Sequence, residues 1–360
     1  MSRGSPFILG LVLGTVAIGA GYLAYLEFAG DGPPVVETLL AELPEQEIGL
    51  SRALPKGART TKCGFGQALV SAQRKTVAPV GEEPDPTKTY DFPTPETRID
   101  AMMSATTCQR AGVPLGLDTE DLSDLIRSGP MLVRRAYSGG DRQSARGWGL
   151  RGWALGQDLV ANDPIQHAVI GYRLQTVFVD AFAWWLGQPE LTPEERTEAS
   201  VIAAELFDRS PDPRRVAQIW AVSTMRAALQ EPGVGELEDG ILQSAVADAA
   251  AWWKAIGDAA ATPGAPVPAL PTAEEPNPLL AALYDERGSD FVEAYRTAAR
   301  ARVAALMVYN AELSADDVCA APWSGDPPVD PVSGAEASWD ETTCILVLGD
   351  RTYETRFTAQ

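Results

Sequence analysis

Two aspartates at matching positions of an internal repeat are the residues whose surroundings could support acid–base chemistry. Residues 174–185 align with residues 242–253 at an offset of 68, and seven of the twelve positions are identical. The alignment places Asp180 on Asp248, each within an otherwise apolar run. A carboxyl group in apolar surroundings is costly to ionise, so its pKa rises. If the two matched helices face each other, Asp180 and Asp248 form a candidate catalytic acid–base pair.

A structural role is the alternative for both aspartates, and it is the interpretation we favour. Each carboxylate would then accept a hydrogen bond from a tryptophan indole or an arginine. Arg173, seven residues before Asp180, lies on the same face of the expected helix and is a candidate donor. Equivalent positions in a repeat predict equivalent environments, so we expect both carboxylates to be mostly buried and hydrogen-bonded, and neither to be catalytic.

Each copy of the repeat ends in a tryptophan pair, Trp184-Trp185 and Trp252-Trp253. Neighbouring residues of a helix point about 100° apart, so one indole of each pair could reach a groove and form part of a ligand or partner surface. Packing in the core is the alternative, because large aromatic side chains are most often buried.

The four cysteines indicate disulfide bonds. Cys63, Cys108, Cys319 and Cys344 are even in number and form no Cys-x-x-Cys pair, and a single histidine cannot complete a Cys₂His₂ zinc site. Four cysteines allow three connectivities. Proximity along the chain favours Cys63–Cys108 and Cys319–Cys344, and four free buried thiols are the alternative.

No established catalytic or cofactor motif is present. The sequence has no Gly-x-Ser-x-Gly, Ser-x-x-Lys, phosphate-binding or dinucleotide-binding pattern. The single histidine, His167, lies near a helix start and is better explained by packing or capping. We expect no cofactor, except that acidic side chains near the C-terminus could bind Ca²⁺ with loop carbonyls or simply form a solvated loop. These side chains are Asp326, Asp330, Asp340 and Glu341.

Composition and charge exclude two classes of partner. The chain has 360 residues, with 49 acidic and 29 basic residues and a net charge of −20. A nucleic-acid-binding protein needs a basic face, and docking on anionic lipid needs the same. The apolar content of 45% supports a sizeable core.

The N-terminal segment Phe7–Leu26 predicts a membrane anchor. It has 20 residues without a charge, which as a helix would span ~30 Å, the thickness of a bilayer core. Arg3 precedes it and Glu27 follows it, so the positive-inside rule places the N-terminus in the cytoplasm and exports the remaining chain to the periplasm. A cleaved signal peptide with its site near 17–19 is the alternative.

The expected fold is mainly α, with an N-terminal transmembrane helix, a helical repeat or bundle body and a small C-terminal β-hairpin. Helix starts are predicted at Asp141, at the Thr192–Glu195 capping box and at Asp212-Pro213, and Gly129-Pro130 predicts a helix break. Gly349-Asp350 is a two-residue hairpin turn. The expected regions are an anchor (1–28), a spacer and extended loop (29–93), a helical repeat body (94–257), a Pro-rich linker (258–278), and a long helix with a Cys-clamped hairpin tail (279–360).

The segment Pro327–Gly334 reads Pro-Pro-Val-Asp-Pro-Val-Ser-Gly, after a long helix and before a short hairpin. It resembles the Pro-x-Asp-Pro-x-x-Gly segment of bacterial pseudopilin-like tails, which also occur on membrane-anchored helical bacterial proteins of no assigned function. The resemblance covers roughly residues 290–350 and not the N-terminus. It implies a role in an envelope assembly and Ca²⁺ in the tail, and it supplies no active site.

These observations predict a membrane-anchored envelope protein whose exported helical body acts through contacts with other envelope proteins, as a scaffold or assembly factor. Two alternatives stay open. The first is an envelope enzyme that uses Asp180 and Asp248. The second is a binder of a small apolar ligand in a tryptophan-lined groove.

Overall fold

The computed structural model describes residues 35–43, 119–162, 164–208, 210–271, 281–312 and 319–355. The predicted anchor Phe7–Leu26, the expected 63–108 disulfide and most of the expected spacer lie outside these residues. Within them, none of the helices combines the length and the apolar character needed to span a membrane.

The described part of the chain is mainly helical and ends in a small antiparallel sheet. It contains eight α-helices, a short 3₁₀ turn (Val234–Glu236) and three strands. The helices are α1 (Val35–Glu42), α2 (Thr119–Ser138), α3 (Arg142–Asn162), α4 (Pro164–Leu186), α5 (Pro193–Asp208), α6 (Pro213–Leu229), α7 (Asp239–Ala261) and α8 (Arg287–Glu312). The strands are β1 (Ser338–Asp340), β2 (Ile345–Leu348) and β3 (Arg351–Glu354).

The predicted helix starts are confirmed by their capping hydrogen bonds. At the start of α3 the Ser144 amide donates to the Asp141 carboxylate at 3.0 Å. At α5 the capping box is reciprocal: the Thr192 amide donates to Glu195 Oε2 at 2.8 Å, and the Glu195 amide donates to Thr192 Oγ1 at 3.2 Å. These side chains satisfy amides that have no partner within the first helical turn.

The predicted break at Gly129-Pro130 is wrong, because α2 runs through both residues to Ser138. A proline within a helix removes one hydrogen bond, but α2 packs closely on α4 at this point. A Cβ atom at residue 129 would lie 2.6 Å from the ring of Phe178. The glycine is therefore required for close helix packing rather than for a chain break.

Helix α4 is the centre of the body, since α3, α2 and α8 all pack on it. Its crossing with α3 is close at a pair of glycines: a Cβ on Gly156 would lie 2.5 Å from the carbonyl oxygen of Gly171. Helix α7 packs instead on α6 and α8. Helix α8, which the sequence groups with the tail, thus contacts both halves of the body.

Two apolar cores lie along α4 and α8. The first involves α2, α3, the C-terminal half of α4 and α8, and its largest buried side chains are Trp153, Phe178, Phe182 and Trp185. The second involves the N-terminal half of α4, α6, α7 and the N-terminal half of α8, and its largest buried side chains are Tyr172, Trp220, Trp253 and Phe291.

The internal repeat consists of two helices with one buried face in common. Both copies lie within 23-residue helices, α4 and α7. The opposite face differs: α4 is covered there by α8 and by the C-terminal sheet, whereas α7 exposes Gln243, Ala247 and Asp248 to solvent. The positions buried in both copies are Leu174 and Leu242, Phe178 and Val246, Ala181 and Ala249, and Trp185 and Trp253.

Helix α1 docks far from its neighbours in sequence. It packs on α6, on α7 and on the 3₁₀ turn, with Leu39 buried. An Arg226 nitrogen donates to the carbonyl of Leu43 at 2.8 Å, a contact between residues 183 positions apart.

The C-terminal region is a three-stranded antiparallel sheet in the order β1-β2-β3. The predicted hairpin is confirmed as β2 and β3, which are joined at Gly349-Asp350. The third strand, β1, has only three residues and no alternating pattern that would predict it. Cys319 and Cys344 are disulfide-bonded, with their Cα atoms 5.4 Å apart.

Part of the expected linker is helical. Helix α7 continues to Ala261, where a buried arginine of α8 caps its end. The Arg296 guanidinium donates to the carbonyls of Ala259, Thr262 and Ala265 at 2.6–3.2 Å. These hydrogen bonds fasten the start of the Ala/Pro-rich segment to the body.

Candidate functional site

Asp180 faces the C-terminal sheet. Its Oδ2 accepts a hydrogen bond from an Arg351 Nη1 atom at 3.0 Å, and 28% of its side chain remains exposed. Its Oδ1 is buried and has no hydrogen-bond partner among the described residues. Burial raises the pKa of this carboxyl group, and the guanidinium of Arg351 partly opposes that effect.

The expectation of equivalent environments for the two repeat aspartates is wrong, because Asp248 lies on the exposed face of α7. There its negative charge adds to the effect of burial in raising the pKa of Tyr284. Since α4 packs on α3 and α8 while α7 packs on α6 and α8, the acid–base pair of Asp180 with Asp248 is not assembled.

Three of the four repeat tryptophans belong to the core, so their predicted role in a ligand or partner surface is wrong. Each donates its indole N–H to a backbone carbonyl: Trp185 to Arg142 at 3.2 Å, Trp252 to Ala269 at 2.9 Å and Trp253 to Leu283 at 3.2 Å. The structure therefore confirms the alternative interpretation for these three residues.

Trp184 is different, because it is only partly buried. The guanidinium carbon of Arg134 lies 5.2 Å from the centre of its ring, a cation–π distance. Tyr137 meets the same ring edge-on at 5.4 Å. The Tyr137 hydroxyl donates to Glu190, and burial together with this carboxylate raises the tyrosine pKa to about 12.

The predicted calcium ligand Asp330 is instead the partner of a buried arginine. It has no exposed surface, and its two oxygens accept from Nε and Nη2 of Arg300, each at 2.7 Å. The backbone amides of Val332 and Ser333 donate to the same carboxylate at 3.1 and 3.0 Å, and the Ser333 hydroxyl donates to it at 2.5 Å. Burial alone raises the pKa of Asp330, but the hydrogen bonds from Arg300 and Ser333 outweigh it and lower the pKa to about 2.

The other predicted calcium ligands do not join Asp330. Asp326 and Glu341 are exposed, and Asp340 Oδ1 accepts from the amides of Thr342 and Thr343. Among the described residues, no group of three or more His, Cys, Asp or Glu side chains is placed to hold a metal ion.

Arg300 also reaches the hairpin turn, where its Nη1 donates to Asp350 at 2.5 Å. The preceding residue, Gly349, has a φ of +63°. A Cβ there would lie 2.3 Å from an oxygen of Asp330, so glycine suits this position both for its conformation and for the space. One guanidinium thus holds two turns of the tail against α8.

A shallow cavity of about 280 Å³ lies between α6 and the segment before α8. Trp220 donates its indole N–H to Asp285 at 3.1 Å, and Asp285 also accepts from Arg287. Arg287 lies over the indole ring at 5.1 Å. Trp220, Asp285 and Arg287 thus pair with one another, and the two charged side chains cover the indole instead of leaving it open to a ligand.

The least expected feature is a basic face on an acidic protein. Residues 125–151 contain six arginines and one acidic residue, a net charge of +5, which leaves −25 on the other 333 residues. The whole-chain charge conceals this segregation, although a local count along the sequence detects it. The six are Arg127, Arg134, Arg135, Arg142, Arg146 and Arg151.

Three of these arginines share the outer face of α2 with an exposed methionine. Arg127, Met131, Arg134 and Arg135 are separated by three or four residues, which places them on one side of a helix. The three arginines are exposed, and Met131 is 43% exposed. Arg135 forms no ion pair with the part of the chain that the structure describes. We call these four residues the basic face.

The remaining contacts around the basic face are structural. Arg142 lies 3.7 Å from Glu195 and donates to the carbonyl of Glu190, and Arg146 pairs with Glu198 at 2.7 Å. These contacts join α3 to α5 and to the turn before it. Because α2 packs on α3, the basic face lies on a frame of three helices.

Comparisons with family models, with curated proteins and with solved structures found no match.

Proposed function

We propose that this protein is a membrane-anchored envelope scaffold whose exported helical body binds an acidic segment of a partner protein through the basic face of α2. The observation that carries the proposal is the exposed array of Arg127, Arg134 and Arg135 around Met131, on a chain that is otherwise strongly acidic. The apolar segment Phe7–Leu26 supports the anchor, and the pseudopilin-like tail segment supports an envelope assembly.

Charge complementarity supports an acidic partner. A cluster of like charges on a surface of opposite overall sign directs association to that cluster, and it raises the rate of encounter with a partner of complementary charge. Guanidinium groups suit this role because they bind carboxylates through two parallel hydrogen bonds. Met131 adds an adaptable apolar contact at the centre of the array.

A protein partner fits this face better than an anionic bilayer does. The only large apolar side chain of the face is Met131, whereas a helix that lies in a membrane interface needs a continuous apolar face. The charge of −25 on the rest of the molecule is also repelled by an anionic membrane. A short acidic segment can contact the basic face alone.

Reversal of two charges on the basic face tests this proposal. In cells that express the full-length protein, we expect R134E/R135E to lose most of its cross-links to partner proteins, as quantified by mass spectrometry. The control R173E/K254E reverses two exposed charges on α4 and α7 and should keep them. Melting temperatures of all three proteins verify that the body remains folded.

Three outcomes would contradict the proposal. The basic-face variant could keep the same protein cross-links as the wild type. The control could lose them equally, which would show a general charge effect. Finally, photoreactive groups placed on α2 could react with anionic phospholipid and not with protein, which would make a membrane the occupant of this face.

The anchor has an independent test. If Phe7–Leu26 is an uncleaved transmembrane helix, the mature protein keeps these residues and is extracted only by detergent. N-terminal sequencing that begins after Gly19 or Ala20 would contradict the anchor without affecting the test of the basic face.

A further inference from the structure

A polar layer lies where the two apolar cores meet along α4 and α8. At its centre is Arg302, whose Nη1 donates to Gln175 Oε1 at 2.9 Å. Only 7% of the Arg302 surface is exposed, and Gln175 has none exposed. The apolar neighbours of Arg302 along α8 belong to different cores: Ala298 belongs to the second core and Ala305 to the first.

The charge of Arg302 is not neutralised by the described residues. The guanidinium groups of the two other buried arginines in this part of α8 have several oxygen acceptors each. Arg300 binds two carboxylates, and Arg296 binds three backbone carbonyls. Arg302 forms no ion pair with the described residues. Its other contacts are with the neutral side chain of Tyr295, which hydrogen-bonds to the guanidinium and whose ring centre lies 5.6 Å from it. Burial lowers the pKa of its guanidinium, which shows how unfavourable the position is for a lone charge.

Two more polar atoms of this layer have no partner among the described residues. They are Gln175 Nε2 and the Tyr172 hydroxyl, both on residues with no exposed surface. Because Gln175 Oε1 already accepts from Arg302, its amide nitrogen can only donate. Tyr172 packs edge-on against Tyr295 at 5.2 Å, which places it beside the arginine. The layer therefore holds a buried guanidinium without a counter-charge and two further polar groups that could donate to an anion.

The carboxylate whose charge acts on Tyr172 does not neutralise Arg302. Asp212 raises the pKa of Tyr172 by its charge, in addition to the effect of burial, but it does not pair with Arg302. Its side chain instead accepts from the Arg214 amide at the start of α6. A water molecule could satisfy the donors, but it would not neutralise a buried guanidinium.

We propose that this layer binds one small monovalent anion, of the size of a halide or formate, which accepts hydrogen bonds from Arg302, Gln175 Nε2 and the Tyr172 hydroxyl. The close approach of α3 and α4 limits its size: a Cβ on Gly156 would lie 2.8 Å from Gln175 Cγ. Packing this tight on one side of the layer excludes a bulky ligand. The anion joins the two cores by completing the contact between α4 and α8.

Anion-dependent stability tests this site on the full-length protein in detergent. We expect the melting temperature to rise and then saturate as chloride or bromide replaces gluconate at constant ionic strength, because ligands that bind only the folded state stabilise it. Broadening of the ³⁵Cl NMR signal by the protein, reversed by bromide or formate, should report the same site.

Two substitutions make the test specific. Q175E places a carboxylate beside Arg302 as an internal counter-charge, so this variant should melt higher than the wild type in gluconate and lose its response to chloride. R302M removes the charge and should also lose the response, while R173M, an exposed arginine of α4, should keep it.

The site is refuted if the wild-type melting temperature is the same in chloride and gluconate. It is also refuted if Q175E retains the full chloride response, since the added carboxylate would then not be competing with an anion. Either result is obtained even if R302M does not fold.

Discussion

The carboxylate of Asp330 has no exposed surface and binds the guanidinium of Arg300 in a bidentate pair. Removal of one member of a buried pair leaves the other charge without its partner, which typically costs about 3–5 kcal/mol. We expect D330N to lower the free energy of unfolding by about 3 kcal/mol in urea denaturation. In this variant Arg300 keeps its ion pair with Asp350, so the loss lies at the low end of that range.

Asp326 provides the matched control, since it is an exposed aspartate four residues earlier. D326N should change the free energy of unfolding by less than about 0.5 kcal/mol. Equal effects of the two variants would show that the Arg300 pair does not hold the tail.

The same pair predicts a pH dependence. The pKa of Asp330 is lowered to about 2 in the folded protein, from the ordinary aspartate value of 3.8. A depressed pKa stabilises the fold where the group is ionised, so this contribution is complete above about pH 4 and is lost as the pH falls towards 2. The difference in stability between the wild type and D330N should be constant from pH 5 to 7 and shrink below pH 4. A difference that stays constant down to pH 2 would contradict this assignment.

The repeat pattern identified Asp180 and Asp248 as matching positions, but it did not predict their different surroundings. The match between residues 174–185 and 242–253 reports a shared buried face, and that face is present in both helices. Whether Asp180 or Asp248 is buried depends on what covers the opposite face. For Asp180 this is Arg351 of the sheet, 171 residues away in sequence, and no local pattern contains that information.

At the scale of helices, Phe178 explains two glycines. A Cβ on Gly152 of α3 would lie 2.2 Å from the ring of Phe178, and one on Gly129 of α2 would lie 2.6 Å from it. We expect G152A to be destabilised by about 1–3 kcal/mol, because added volume in a close-packed core forces neighbouring side chains to shift. Thermal unfolding measures the effect.

Gly147 is the control on the same helix, since nothing lies within 4 Å of its Cβ position. G147A should stabilise the protein by about 0.5–1 kcal/mol through helix propensity. Destabilisation of both variants to the same extent would show that propensity or local strain, and not Phe178, sets the result.

The helix starts could be predicted from the sequence, but the continuation of α2 through Pro130 could not, and both results have the same physical reason. A cap such as Asp141 or Thr192 acts on amides two or three residues away, so the sequence contains the whole interaction. The effect of Pro130 depends on whether packing compensates for the lost hydrogen bond. In α2 that packing comes from α4, through Phe178.

At the scale of the whole molecule, a disulfide closes a loop within the tail, and Arg300 together with an apolar cluster around Ala304 and Met307 attaches the tail to α8. The Cys319–Cys344 bond closes a loop with a sequence separation of 25 residues, which is worth about 3 kcal/mol by chain entropy. We expect C319S/C344S to make residues 319–355 sensitive to limited proteolysis while the helical circular dichroism of the body is kept. Simultaneous loss of helical signal and tail protection would instead make the tail part of one cooperative unit with the body.

The basic face was missed at this scale because the charge was summed over the whole chain. A value of −20 excludes a uniformly basic protein, but it does not exclude a local cluster of arginines. The arginines of α8 were likewise not predicted as buried. Arg296, Arg300 and Arg302 donate hydrogen bonds to residues 30 to 127 positions away, and their burial follows from the position of α8 between both cores.

The docking of α1 on α6 and α7 sets an order of events during synthesis. Leu43 leaves the ribosome long before Ala261, the last residue of α7, and the 218 residues between them take roughly 10–40 s at translation rates of about 5–20 residues per second. During that interval the apolar side of α1, with Leu39, has no docking surface within the chain. The segment nearest the predicted anchor is therefore available to chaperones and export factors first, and it docks on the body only after α7 has been made.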